Sequence, residues 1–600
     1  MSLKFIEITV GWRTRKSVAS LVLLSSTIVL FGLAAAQNVP PSTRPQLSVT
    51  IRPERDGSSK FTDVEVELEI GVGDTESKQP FALYIPVEFA GIKHVADRIE
   101  NLEARTKDGP VTLDRHDDPP DAGGSLFWRH WVMAEHPVGS LFVRYRARLG
   151  EARPWAGPPF DLRQNGSGLS GAGFGFLVLP ESKGTFDIRL KWDLRDMPPG
   201  SRGISNLGLG DVQYDGPVES LFECFYMTGP FGTYPQHFES NLFRSAWLGA
   251  LPFDPQVEMK WAQTAYLSER QFFAETGSVP FYFFMRAGKD NTSYGGAALS
   301  NSFLLFLPES LDDTDGPDRL GLVIAHEMVH HFVGTLDSPE GIEGSWYSEG
   351  LAEYYSRLVT FRTGLILPRV FTDAVNQSAV LYFTNPLRNL PNEKIAEGFW
   401  RDKNAQGVPY QRGFFYFVDV NHKLLMASKG KVSVDTIVLS LLNRRSRGDR
   451  LTPQNWLDEI EKVLGPAGRQ EFESVIVHGD TVLAASDAFG PCFDRRSVMM
   501  PMFELGFDQH ATWDSSPPVV HGVVSGSAAQ RAGLRDGDKI LSMSPSEVER
   551  LRSSLSMRIQ LKIERGRDTL EIEYLPRSSQ SVEGYQWVHN LGVPDEKCAM

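Results

Sequence analysis

Residues 321–355 read GLVIAHEMVHHFVGTLDSPEGIEGSWYSEGLAEYY, and within them lies the pentapeptide His326-Glu327-Met328-Val329-His330. On a helix, side chains four apart lie one above the other. His326 and His330 can therefore aim two imidazoles at one metal ion while Glu327 turns beside them as a general base. A catalytic zinc takes three protein ligands and leaves one position open for water. Glu349 is the candidate third ligand, in a second helical stretch from Trp346 to Tyr355 that can return antiparallel to the first. Glu353 follows one turn later on the same face, where it can accept the free ring N–H of a ligating histidine and so fix its tautomer.

The flanks support a helix at the first of these stretches. Asp315, Pro317 and Asp318 offer cap and first-turn chemistry, Leu320, Leu322, Val323 and Ile324 supply buried faces, and Gly334 suits the stop. With 13 His in the chain, a chance HExxH has a probability on the order of a few per cent or less, and most chance matches would lack helical context. The stretch therefore reads as a metal site. His331 is turned about a hundred degrees from His330 on a helix and reads as structural rather than as a ligand.

The same residues resemble the gluzincin metallopeptidases and, within them, the glycyl aminopeptidase family (peptidase family sixty-one). That family's pattern is HExxH followed by a tryptophan, an EG pair and a YY pair, matched here by His326–His330, Trp346, Glu349-Gly350 and Tyr354-Tyr355. The resemblance implies one zinc ion per chain, with His326, His330 and Glu349 as ligands and Glu327 as catalytic base. It extends to Tyr410-Gln411-Arg412-Gly413, the family's Tyr-x-basic-Gly element, whose tyrosine can donate a hydrogen bond to the oxyanion formed at the scissile carbonyl. It further implies that the segment around Gly295-Gly296 pairs with the substrate backbone as a sheet edge.

The chain departs from the family at one point. Aminopeptidases of this kind carry a Gly-Gly-Leu-Glu-His element whose glutamate pairs with the substrate's free α-amine, and here the run is Gly295-Gly296-Ala297-Ala298-Leu299. Ala298 stands in the glutamate's place. An alanine methyl can neither bind a cationic amine nor fix the register one residue from the zinc. Blocked or internal peptide bonds are the expected substrates, unless another acid such as Glu353 substitutes.

Six hundred residues are too many for one core, so about three domains are expected. A net charge of -14 argues against a nucleic-acid partner, since no basic stripe exists to neutralise phosphates. Residues 1–36 read as a signal peptide: Arg13, Arg15 and Lys16 precede the apolar run Ser17–Leu33, and Ala34-Ala35-Ala36 forms a small-residue cleavage site before Gln37. The protein is expected to be exported, periplasmic or secreted. The alternative is an uncleaved signal segment that anchors it in the membrane. Cys224, Cys492 and Cys598 are too few for a disulfide scaffold, and one bridge, between Cys492 and Cys598, is open.

The expected fold class is multidomain α+β. Residues 37–235 form an N-terminal β-rich domain, because Val64, Val66, Leu68 and Ile70 alternate with charged residues, as do Phe186, Ile188, Leu190 and Trp192. Residues 236–490 form a thermolysin-like gluzincin catalytic domain. It holds a helix from Asp254-Pro255 with Val257, Trp261, Ala262, Ala265 and Phe272 inward, strands at Phe281–Met285 and Phe303–Leu307, and a mainly helical second lobe after Glu349.

Residues 500–577 resemble a PDZ domain through Phe503-Glu504-Leu505-Gly506-Phe507 and the run from Gly526 to Ile540, with strands at Val519–Val524, Ile559–Ile563 and Leu570–Tyr574. PDZ folds receive an extended peptide by strand addition, and Leu505, Gly506 and Phe507 are the candidate loop for its carboxylate. The unit can equally serve as a brace packed on the catalytic domain. Residues 578–600 are expected to form a C-terminal tail.

Together these features point to an exported zinc-dependent metallopeptidase acting on peptides or proteins. The alternative is a PDZ-type peptide-binding protein with an inactive peptidase domain.

Overall fold

The computed structural model describes residues 44–594 and 598, apart from short internal stretches at 57–59, 73–79, 90–91, 120–126, 151–159, 239–240, 289–294, 309–316, 338–340, 400–401, 514–516 and 544. The apolar segment within residues 1–36 and the Asp315 cap lie outside the described residues. Among those described, no helix is long and apolar enough to cross a membrane.

The first part of the chain is β-rich, as the period of two predicts. Its largest sheet has seven strands, with Gln46–Arg55 and Phe61–Val72 antiparallel at its centre and Val49 opposite Leu68. Gln46–Arg55 also pairs in parallel with Thr185–Trp192, Leu47 opposite Ile188. Val64, Val66, Leu68 and Ile70 are buried while Glu67 and Glu69 face water. Glu65 breaks the alternation: it is buried, with Arg52 and Arg144 as ionic partners.

A five-stranded sheet follows. Its strands are β1 (Gly232–Tyr234), β2 (Phe243–Leu248), β3 (Phe281–Gly288), β4 (Gly295–Leu299) and β5 (Ser302–Pro308), in the spatial order β1-β2-β3-β5-β4. β1 lies within residues 37–235, so the sheet begins before the boundary expected at 236. β4 forms an edge, antiparallel to β5, with Gly296 opposite Leu305 and Ala298 opposite Phe303.

The β-rich part fixes this sheet in place. Arg286 on β3 is buried and donates to the carbonyls of Asp161 (2.9 Å) and Ser170 (3.2 Å). Asn206 donates to the Ser300 carbonyl at the β4–β5 turn (2.8 Å). Ala297 and Leu299 pack against the β-rich core, whereas Gly296 and Ala298, on the opposite face of the strand, are exposed.

Against the sheet lie α1 (Pro255–Phe272), capped by the Asp254 side chain, and α2 (Pro317–Val333), which carries HExxH. Val257, expected on the inner face of α1, is 66 % exposed, whereas Ala262 and Ala265 are buried as expected, together with Met259, Tyr266 and Glu269. α3 (Ser345–Arg362), α4 (Pro368–Phe383) and α5 (Lys403–Ser428) build the helical lobe. Its core is aromatic, with Trp346, Tyr347, Tyr416, Phe417 and Trp456 buried together.

The C-terminal unit departs from expectation in two places. Residues expected as a tail form β10 (Arg577–His589), which pairs antiparallel with β6 (Phe493–Phe503). This hairpin is anchored on the helical lobe. Trp587 is buried against Phe415 and Phe489, Asn376 on α4 bonds both its N–H and its carbonyl at 2.8 Å, and Cys492 and Cys598 are disulfide-bonded.

Between the arms of the hairpin lie a three-stranded sheet of β7 (Lys539–Ser542), β8 (Ile559–Arg565) and β9 (Asp568–Tyr574), and the short helices α6 (Gln509–Trp513) and α7 (Pro545–Ser553). Val519–Val524 is not a strand. It makes one bridge, Val519 to Lys539, and Val520 N–H bonds the Asp538 carbonyl beside it, but three further donors are taken elsewhere. His521 N–H bonds the Thr512 hydroxyl, Val523 N–H the Asp536 carboxylate and Val524 N–H the Gly506 carbonyl.

Candidate active site

α2 and α3 pack together and bring three predicted residues to one point. His326 Nε2 lies 3.3 Å from Glu349 Oε2, and His330 Nε2 lies 3.2 Å from the same oxygen. Bonds of about 2.0–2.1 Å to a tetrahedral zinc place ligand atoms roughly 3.3 Å apart. The His326, His330 and Glu349 atoms already have that spacing, and among the described residues this is the one cluster able to hold a metal. The two imidazoles cross at 82° with centroids 5.0 Å apart, so both rings present an edge to the shared point.

Glu353 stands one turn beyond Glu349, with Oε1 3.2 Å from His326 Nδ1. Its other oxygen is 2.6 Å from the Arg357 guanidinium. Burial works against its ionisation, but Arg357 and His326 outweigh that and bring its pKa down to about 2. Glu349 is likewise held below the usual carboxylate range, since His330 and His326 outweigh its burial. Burial alone would lower the pKa of the His326 imidazolium; the adjacent carboxylates of Glu349 and Glu353 carry it up to about 10 instead. The pocket therefore favours positive charge between its carboxylates, which fits a divalent cation.

Glu327 differs. Burial raises its pKa above the ordinary value of 4.5, against the pull of His326 and His330. A carboxylate raised toward neutrality is suited to accept a proton. Tyr410, near the start of α5, stacks over His326 with the rings 9° from parallel and 5.7 Å apart. Burial, then the charges of Glu349, Glu327 and Glu353, keep its phenol protonated far above neutral pH. It is available there as a donor.

The supporting structure explains the surrounding residue types. Gly350 on α3 faces Gly413 on α5, which draws the two helices together. Arg412 is buried and donates to the carbonyls of Arg388 and Leu390, both at 2.7 Å, so it locks α5 by backbone contacts rather than by an ion pair. Arg445 holds the end of α2 through the carbonyls of Val333 and Thr335. His331 points away from the cluster, against Phe281 (5.2 Å) and Phe332 (5.0 Å), and burial lowers its pKa to about 4.

The remaining predicted residues lie apart from this cluster. Gly295 and Gly296 are on the edge strand β4. Leu505, Gly506 and Phe507 are buried in the C-terminal unit, where the Leu505 carbonyl accepts from Tyr574. Arg357 and Ser378, which bond each other and Glu353, did not stand out in the sequence. The spacing of Glu353 and Arg357, four apart on a helix, was the available signal.

No protein-family model matches the chain, and no curated protein matches it. Solved structures do. An aminopeptidase N family protein from Idiomarina loihiensis superposes with a TM-score of 0.66 at 13% identity, covering 92% of this chain and 99% of that one. An M1 zinc metallopeptidase from Deinococcus radiodurans gives 0.43 at 15% identity over 73% of this chain and 94% of its own. Yeast LTA4 hydrolase in complex with bestatin gives 0.43 at 12% identity over 73% and 68%. The chain thus has the multidomain fold of the Idiomarina protein, a β-rich part followed by a helical part, along nearly its whole length.

Proposed function

We propose that this chain is a zinc-dependent metallopeptidase that hydrolyses peptide bonds at the cluster formed by His326, His330, Glu349, Glu327 and Tyr410. The observation that carries the reading is the shared approach of His326 Nε2 and His330 Nε2 to one oxygen of Glu349, at 3.3 and 3.2 Å, beside an unligated glutamate and a stacked tyrosine.

His326, His330 and Glu349 would hold the ion. When bound, zinc polarises a carbonyl and lowers the pKa of water to about 7. Glu327 takes the proton of the attacking water and returns it to the leaving amine. Tyr410 donates its hydroxyl hydrogen to the oxygen that gains charge at the scissile carbonyl, a contact that strengthens in the transition state. β4 is the sheet's edge strand, with Gly296 exposed, and the segment around Gly295-Gly296 is proposed to pair with an extended substrate.

Elemental analysis of the purified chain tests this directly. One zinc per chain is expected, retained by Glu327→Gln with most turnover removed and lost on Glu349→Ala. Zinc undiminished in Glu349→Ala, or near-normal turnover in Glu327→Gln, overturns the assignment.

Residues 1–36 are proposed as a cleaved export signal, so the N-terminal sequence of the mature protein should begin at Gln37. The C-terminal unit is proposed as a PDZ-like brace rather than a peptide receptor. The segment after Leu505-Gly506-Phe507 is the helix α6, with Trp513 stacked on Phe507 at 5.7 Å, where a peptide-accepting strand would have to run. α7 also packs on α4, and Arg552 bonds Asn404 of α5 at 3.0 Å. Peptides with free C-terminal carboxylates should show no saturable binding to this unit.

A further inference from the structure

Beyond the ligands, one charged side chain joins three helices behind the metal cluster. Arg357 lies on α3, two turns after Glu349, with its side chain 12 % exposed. Its Nη2 is 2.6 Å from Glu353 Oε2 and donates to the Ser378 hydroxyl on α4 at 3.0 Å. Its Nη1 donates to the Glu353 carbonyl at 2.8 Å, and the guanidinium lies over the Phe414 ring of α5 at 5.2 Å. Arg357 touches neither His326, His330 nor Glu349 in any of these contacts.

We propose that Arg357 is a positioning residue for metal binding: it fixes the Glu353 carboxylate so that Glu353 Oε1 holds the Nδ1 side of His326 and aims Nε2 at the ion. Glu353 alone has two oxygens and free rotation about its terminal bond. With Oε2 held by Arg357 and Ser378, Oε1 is left facing His326 Nδ1 at 3.2 Å. The imidazole then keeps the tautomer that leaves Nε2 with a lone pair for the metal.

The charge count points the same way. Glu327, Glu349 and Glu353 bring up to three negative charges into one buried site, against which a zinc ion supplies two positive charges. Arg357 supplies the third. Removing it would leave Glu353 buried with a weaker partner and free to turn from His326, and an unpaired buried charge is strongly unfavourable. A lysine would restore the charge but not the planar fork that reaches Glu353 and Ser378 together.

The inference rests on the zinc reading above, and its test separates the two. Zinc dissociation constants are measured by chelator competition for the wild type, Arg357→Lys, Arg357→Met, Glu353→Gln and the Glu353→Gln/Arg357→Met double variant, with melting of each metal-free protein alongside. Glu353→Gln should weaken zinc about 10–100-fold, the range for partners of metal ligands, Arg357→Met should produce a loss approaching that of Glu353→Gln, and Arg357→Lys a smaller one. In the Glu353→Gln background the arginine change should add no further loss.

Wild-type affinity in Arg357→Lys and Arg357→Met, whatever their melting temperatures, overturns the inference and leaves the zinc reading intact. So does a full additional loss in the double variant, because Arg357 would then not act through Glu353. Should Arg357→Met fail to fold, Arg357→Lys and Ser378→Ala decide the matter by the same criterion. A wild-type chain that binds no zinc overturns the metal reading and this inference with it.

Discussion

Gly350 and Gly413 meet where α3 crosses α5, so closely that a methyl on Gly350 would stand 2.7 Å from the Gly413 Cα. Each glycine is tied to a site residue: Glu349 immediately precedes Gly350, and Tyr410 lies about one turn before Gly413. The two glycines thus set the depth at which a metal-ligand candidate and an oxyanion-donor candidate face each other. In the sequence they appeared only as members of two separate motifs. The structure shows them as two halves of one contact.

A methyl at either position must push the helices apart, because the nearest obstacles are backbone atoms rather than the ends of flexible side chains. Gly413→Ala is expected to cost roughly 1–3 kcal/mol of stability through overpacking and to lower kcat/KM by more than tenfold. Gly407→Ala in the same helix is the control, since there the added carbon meets only the end of the Gln411 side chain at 3.1 Å. Thermal melting and steady-state kinetics of the two variants check this. Equal behaviour would show that α3–α5 spacing does not govern the site.

Tyr410 makes its predicted contribution only if its hydroxyl acts late in the reaction. Tyr410→Phe keeps the ring that stacks on His326 and removes the donor, so zinc content should hold and kcat should fall by about 10²-fold with little change in KM. A change confined to KM would make Tyr410 a substrate-binding residue.

Some of this molecule was legible from the chain and some was not, for identifiable reasons. His326, Glu327, His330 and Glu349 could be read because ligand chemistry and helical period coincide within thirty-odd residues, and local spacing sets most of the geometry. β10 could not: Arg577-Ser578-Ser579-Gln580-Ser581 is polar, and its partner β6 lies some eighty residues upstream, so only tertiary pairing makes it a strand. The same competition removed the strand at Val519–Val524, whose β-branched residues suit a sheet but three of whose donors go to Thr512, Asp536 and Gly506. Val257 faces water because the inward face of α1 is centred on Met259, Ala262 and Tyr266, a rotation that a short apolar pattern did not resolve.

Glu269 could not be foreseen as buried, yet it carries a stability prediction. It is fully buried on α1, and neither carboxylate oxygen finds a hydrogen-bond partner among the described residues. Burial holds its pKa well above 4.5 in the folded chain. The folded state therefore keeps a proton that the unfolded state releases, and stability falls as pH rises above the unfolded value of about 4.3. Glu269→Gln removes the titration while keeping the shape. Its melting temperature should exceed that of the wild type at pH 8, by an amount equivalent to about 1–3 kcal/mol, with the gain shrinking toward pH 5. A gain of the same size at both pH values would mean that ionisation of Glu269 is not the cause.

Ala298 governs the last prediction, which concerns where in a peptide this chain cuts. It shares the exposed face of β4 with Gly296, while Ala297 and Leu299 turn into the β-rich core. A side chain at this position therefore reaches solvent beside the Phe303 ring that covers Gly296, and in this chain it is a methyl. Glu353, the other candidate acid for an amine anchor, is engaged by Arg357, Ser378 and His326, which leaves it no free oxygen to offer a substrate. Without a carboxylate at 298, a charged N-terminus gains no charge-assisted bond and pays its desolvation uncompensated. One peptide supplied with a free and with an acetylated N-terminus should therefore be cleaved with kcat/KM values within a few-fold of each other, or with the acetylated form preferred. Ala298→Glu should tilt the ratio toward the free amine by tenfold or more, the scale of one charge-assisted hydrogen bond of about 1.5–3 kcal/mol. Abolition of wild-type cleavage by acetylation would show instead that the chain anchors the amine through a group other than residue 298.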